Sequence, residues 1–157
     1  MLETTDSASV KSFTVRFPGL ARQILVGGIT VGAAYEQEPE ADATFVELTA
    51  LWDTGATNTV ISHDVVKRLG LFSIGTVPTI HAGGIGRAHK YMVSLILPKG
   101  IEFPALKVTD APLIGFDMLI GMDIITQGDF SLSEQNGTTC FSFRVPSLAE
   151  MDFTHSE

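Results

Sequence analysis

The sequence predicts an all-β domain with one or two short helices, and three observations lead there. Hydrophobic residues make up 45% of the 157 positions and charged residues only 18%, which suits one well-buried domain and leaves little room for two. Fifteen glycines and ten phenylalanines favour a sheet-rich chain over a helical array or a disordered one. Apolar and polar residues alternate in short runs bounded by turn signals, as half-buried strands require.

Residues 1–11 are small and polar and read as a flexible N-terminal arm. Ser12 to Phe17 alternates cleanly, and Pro18-Gly19 ends the run. A second strand is expected near Arg22 to Val26, separated by Gly27-Gly28 from a short Ile29-Thr30-Val31 run. Ala33 to Asp42 carries Glu36, Glu38, Glu40 and Asp42 around Pro39 and reads as a solvated loop, its functional reading being an acidic rim. Phe45 to Trp52 is a strong strand signal, and Thr59-Val60-Ile61 resumes it after a turn. Ser62 is placed to cap a helix over His63 to Leu69, closed by Gly70, with Asp64 in the first turn and Lys67 and Arg68 in the last.

Val77 to Leu97 reads as a hairpin with Ala82 to Gly86 at its tip, followed by a turn at Pro98-Lys99-Gly100. Strands are expected near Phe103 to Thr109 and at Leu113-Ile114. Asp117 to Ile125 is apolar around Gly121, a buried strand turning into a short helix. Phe130 to Ser133 and Thr139 to Val145 flank the hairpin turn Glu134-Gln135-Asn136-Gly137. The domain is expected over 12–146 and a flexible polar tail over 147–157.

Composition excludes several classes. Ten basic against eighteen acidic residues give a charge of −8, which argues against a sequence-independent nucleic-acid binder. The single Cys140 excludes an intrachain disulfide and a zinc ribbon, and its place in an alternating strand suggests a core residue. His63, His81 and His89 match no zinc spacing, so neither metal nor cofactor is expected. The first residues lack a signal-peptide pattern and no apolar run reaches the roughly 18 residues of a membrane span. A cytoplasmic protein is the expectation, with no membrane partner.

The chemistry concentrates at Leu48-Thr49-Ala50-Leu51-Trp52-Asp53-Thr54-Gly55-Ala56-Thr57, an apolar strand that ends in an acid, a hydroxyl residue and a glycine. Burying an unpaired carboxylate is expensive, so a core strand that delivers one suggests that its proton is the working part. Asp53-Thr54-Gly55-Ala56, with Thr59 to Ser62 after it, resembles the active-site loop of retroviral-type (retropepsin-like) aspartic proteases. Met118-Leu119-Ile120-Gly121-Met122-Asp123 is similar to that family's second signature, and Gly83-Gly84-Ile85-Gly86 to the tip of its flap.

The resemblance implies a closed-barrel-like retropepsin fold and a homodimeric aspartic endopeptidase acting on a polypeptide, with Asp53 of each chain meeting at the two-fold axis. It implies Asp53 as the acid-base group, Thr54 as a hydrogen-bonding residue across the axis, and Gly55 as a backbone donor to the carboxylate. Ala56, Gly83, Gly84, Ile85 and Gly86 would contact the substrate, and Leu119, Ile120 and Gly121 would pack beneath the active loop. Asp123 or Asp117 is the alternative partner for Asp53 within one chain. Thr57 and Asn58 stand where viral members carry acids, and Met122 replaces the viral arginine, so the chain looks closer to cellular or bacterial relatives. Two other readings share the fold: a non-catalytic dimerisation or peptide-binding module, and a zymogen blocked by residues 1–11.

Overall fold

A computed structural model describes residues 9–81 and 84–154. Among these, ten strands and two α-helices follow in the order β1 (Lys11–Pro18), β2 (Leu25–Ala33), β3 (Phe45–Trp52), β4 (Val60–Ser62), α1 (His63–Leu69), β5 (Gly75–His81), β6 (Gly84–Leu97), β7 (Ile101–Ala111), β8 (Met118–Ile120), α2 (Met122–Ile125), β9 (Asp129–Gln135) and β10 (Thr138–Val145). Six strands close a barrel in the order β2-β3-β8-β4-β7-β6, with β6 returning to β2. Strand β5 extends the sheet from β6 as a free edge. The barrel is closed, as the resemblance implied.

Alternation builds the core. Val46, Leu48, Ala50 and Trp52 of β3 face inward with Ile29 and Val31 of β2, Val93 and Leu95 of β6, and Met118 and Ile120 of β8, all buried. Each buried Val, Leu, Ile or Met among them contributes about 1.5–3 kcal/mol relative to an exposed one. A second, three-stranded sheet runs in the order β1-β10-β9. Its Phe141 and Phe143 pack on Trp52 with ring centroids 4.9 Å apart in both pairs, and Phe13 joins them. The short sheet therefore stacks against the residue that precedes Asp53.

Helix α1 forms as its caps dictate. Ser62 Oγ accepts from Val65 N at 3.3 Å, and Gly70 adopts φ 59°, a left-handed stop. The β9–β10 hairpin turns on Asn136 and Gly137, both at positive φ, as a two-residue connection requires.

Three expectations are corrected. The two short runs around Gly27-Gly28 are one strand, β2, whose register shifts between Val26 and Ile29 where Gly28 takes φ 68° in a bulge; Arg22 and Gln23 lie before it. Leu113-Ile114 is a loop: Pro112 lacks a donor, Gly115 sits at φ 88°, and Ile114 is exposed. Cys140 is half-buried and faces away from the core, because Thr139, Phe141 and Phe143 take the inward phase of β10.

The chain beyond β10 is tied back by one acid. Asp129 accepts from Leu148 N at 2.8 Å, from Arg144 Nε at 2.7 Å and from the Ser147 hydroxyl. These bonds, the Leu148 amide first, hold its carboxyl well below the usual carboxylate range. A depressed folded pKa stabilises above the ordinary carboxyl pKa, near 3.9, and that stability is lost as pH falls from there toward the folded value. Thermal melts between pH 6 and pH 2 should show a steeper acid loss for the natural chain than for Asp129→Asn; parallel curves would remove Asp129 from the account.

Candidate active site

Strand β3 carries Asp53 out of the core, and β8 fixes where it stops. Strand β8 runs parallel to β3, pairing Ala50 with Met118 and Trp52 with Ile120, and antiparallel to β4 on its other side. It is threaded between the two arms of the active loop. Asp53 N donates to Ile120 O at 3.0 Å, and the chain after β8 donates back, Met122 N to Ala56 O at 2.9 Å and Asp123 N to Thr57 O at 3.2 Å. The Asp123 carboxylate accepts from Thr59 N at 3.0 Å and from Thr59 Oγ1 at 2.7 Å, while Gly121 N donates to that same hydroxyl at 3.2 Å. A Cβ on Gly121 would sit 2.6 Å from the Asn58 carbonyl carbon and 3.0 Å from Ala56 O. Only glycine fits beneath the loop.

Asp53 itself is half-buried at the open end of this floor, with Thr54 and Gly55 exposed beside it. Gly55 N donates to Asp53 Oδ1 at 2.8 Å, the one hydrogen bond to this carboxylate among the described residues. Asp117 and Asp123 are engaged elsewhere: Asp117 Oδ2 accepts from Thr49 N at 3.0 Å, and Asp123 holds Thr59. Both brace the loop, so neither stands as the partner of Asp53 within one chain.

The hairpin β5–β6 pairs Ile80 with Ile85 and His81 with Gly84. Ile80 and Ile85 are 85% and 83% exposed, apolar side chains that nothing covers among the described residues, and Gly84 takes φ 114°. Gly86 pairs with Thr79 below the tip. Gly83 lies outside the described residues. No hydrogen bond joins Gly84, Ile85 or Gly86 to the Asp53 loop among the described residues.

Sequence reasoning missed three features. A recess of about 180 Å³ adjoins Asp53 and Thr54, walled by Ile24, Trp52, Phe130 and Leu132. Trp52, in its wall, buries Nε1 without an acceptor among the described residues, and Leu132 is 53% exposed although it shares the inward phase of Phe141. His63 Nε2 and His89 Nδ1 converge on Asp110 Oδ2 at 3.6 Å and 3.2 Å, with the Tyr91 hydroxyl at 3.3 Å. Burial, with the Asp110 charge beside it, pushes the Tyr91 phenol above its ordinary value. No group of three or more candidate ligands could hold a metal ion among the described residues. Lys90 and Lys107 are also brought together, by the pairing of β6 with β7. Linear spacing signals none of these, because each depends on strand register.

The sequence profile of the family described as "gag-polyprotein putative aspartyl protease" matches residues 45–127, the stretch from β3 through α2. The chain belongs to this family. Among solved structures, a retropepsin-like aspartic protease from Rickettsia conorii is similar at TM-score 0.50 and 15% identity, over 87% of this chain and 96% of that one. At that identity the likeness concerns the fold. The retroviral protease-like domain of Ddi1 from Leishmania major matches at TM-score 0.41 and 22% identity, over 69% of this chain and 90% of the other. No curated protein matches the sequence. Among the described residues, no helix of this retropepsin-like chain is long and apolar enough to cross a membrane.

Proposed function

We propose that two copies of this chain form an aspartic endopeptidase whose catalytic pair is Asp53 and the partner's Asp53. The observation that carries the reading is the Asp53 carboxylate itself. A rigid, braced strand delivers it to an open surface, where it keeps a single hydrogen bond, from Gly55. Asp123 of the second signature segment and Asp117 just before it are both engaged by backbone amides.

Peptide hydrolysis without a covalent intermediate needs one group to accept a proton from water and another to donate one to the carbonyl oxygen. Two adjacent carboxylates do not both ionise readily, so they share one proton and serve as base and acid together. The ionised member takes a proton from water as the water oxygen bonds to the scissile carbon, and the protonated member gives its proton to the carbonyl oxygen. The tetrahedral diol then breaks its C–N bond as one carboxyl protonates the departing nitrogen and the other recovers the hydroxyl proton. The shared proton is regenerated.

The recess beside Asp53 supports the second subunit. Its apolar wall, including half-exposed Leu132, opens next to Thr54, where a second copy would bring its own loop. The edge strand β5 and the hairpin tip would pair with an extended peptide.

Incubation with an unstructured polypeptide, with and without a statine-type inhibitor, tests the reading. Inhibitable cleavage is expected, and peptide binding without cleavage would favour the non-catalytic module. The rate should also trace a bell on the acid side of neutrality, with two apparent pKa values belonging to the pair. A rate flat from about pH 4 to pH 9 would contradict a shared proton.

A further inference from the structure

We infer that a cleft beside Asn58 is a subsite for an acidic side chain of the substrate, selected by Lys90 and Lys107. This deepens the proteolytic reading and rests on it. The cleft, of about 570 Å³, lies between the active loop and the β5–β6 hairpin, and Asn58, Pro78, Lys90, Lys107, Asp123 and Gln127 line it.

Strand register makes it cationic. Lys90 pairs with Thr109 and Lys107 with Met92, so the two lysines are diagonal neighbours on one face of β6–β7. Tyr91 and Val108, the alternate positions, are buried. No ion pair engages either lysine among the described residues. The carboxylate in the wall, Asp123, is satisfied by Thr59 N, Thr59 Oγ1 and Ile124 N. Those donors, like Asn58, are neutral and leave the Asp123 charge in place, but two lysines against one carboxylate still make the lining net positive, in a chain whose net charge is −8.

The path of a bound peptide leads there. Strand β5 is a free sheet edge, along which an extended chain can add as a further strand. Val77 and Pro78 of β5 line the cleft at one side and Asn58, from the Asp53 loop, at another. A peptide laid along β5 with its scissile bond at Asp53 would turn alternate side chains into the space between them. A carboxylate arriving there meets two ammonium donors and relieves their mutual repulsion. In a two-fold dimer the cleft occurs twice, so the preference should appear on both flanks of the scissile bond.

A positional scan tests this with one cleavable peptide, carrying Glu, Gln or Lys at each flanking position in turn. Cleavage is read with the natural chain, and binding by fluorescence anisotropy with the Asp53→Asn chain. At low salt, Glu should exceed Gln by about fivefold at one position per flank, a modest ratio because both lysines are partly exposed. Lys90→Glu with Lys107→Glu should reverse the preference toward the Lys peptide, and Lys90→Gln with Lys107→Gln, a milder change, should erase it. Cleavage with no Glu advantage, or a preference untouched by either double variant, overturns the inference and leaves proteolysis standing. Binding that favours Glu without any cleavage upholds the subsite and removes proteolysis. Neither binding nor cleavage overturns both.

Discussion

Replacing Asp53 with Asn is expected to lower peptide hydrolysis by at least on the order of 10³-fold while the fold and the dimer persist. The change removes the ionisable group from both halves of the site at once, so neither base nor acid remains. It leaves volume and hydrogen bonding nearly intact, because the amide oxygen of Asn can still accept from Gly55 N, the contact that Asp53 Oδ1 makes at 2.8 Å. The strand that delivers the residue is anchored on Trp52 and Ile120, neither of which is altered. Thermal unfolding and mass in solution should therefore match the natural chain within error. Full peptidase activity in Asp53→Asn protein would refute the mechanism.

Replacing Gly121 with Ala is expected to cost about 3 kcal/mol, at the upper end of what overpacking usually does. The new methyl would meet the Asn58 carbonyl carbon at 2.6 Å and its oxygen at 2.7 Å, and these are backbone atoms with no rotamer to escape into. Relief requires the active loop to lift from the chain after β8, which would lengthen the Met122 N to Ala56 O bond, now 2.9 Å. For a domain of this size the loss corresponds to a fall in Tm on the order of 10 °C. Activity should fall further than stability, because the same shift displaces Asp53. A Gly121→Ala protein that melts with the natural chain and cleaves at its rate would show that the floor is not rigid.

Both effects arise from a topology only partly legible in the sequence. Strand β3 and helix α1 were readable because their signals are local: an apolar run from Phe45 to Trp52 broken only by Glu47 and Thr49, and the Ser62 cap followed by Gly70. The Asp53 loop was readable because its residue types are costly in any other setting. The threading of β8 between β3 and β4 was not, since no periodicity within residues 45–62 reports a parallel pairing with Met118 to Ile120. The bracing roles of Asp117 and Asp123 follow from that threading and were equally hidden. The phase of Cys140 was different, for the signal was present: Phe141 and Phe143 claim the inward face of β10, and Cys140 shares the outward phase of Ser142. Lys90 and Lys107 illustrate the general limit. Their proximity is a matter of β6–β7 register, which no composition or charge count contains.

The most direct measurement is specific activity across a dilution series, with mass in solution followed in the same samples. If the catalytic pair is assembled from two chains, activity per milligram should fall in step with the dimer fraction and vanish for the monomer. Unchanged specific activity at concentrations where only monomer exists would contradict the account.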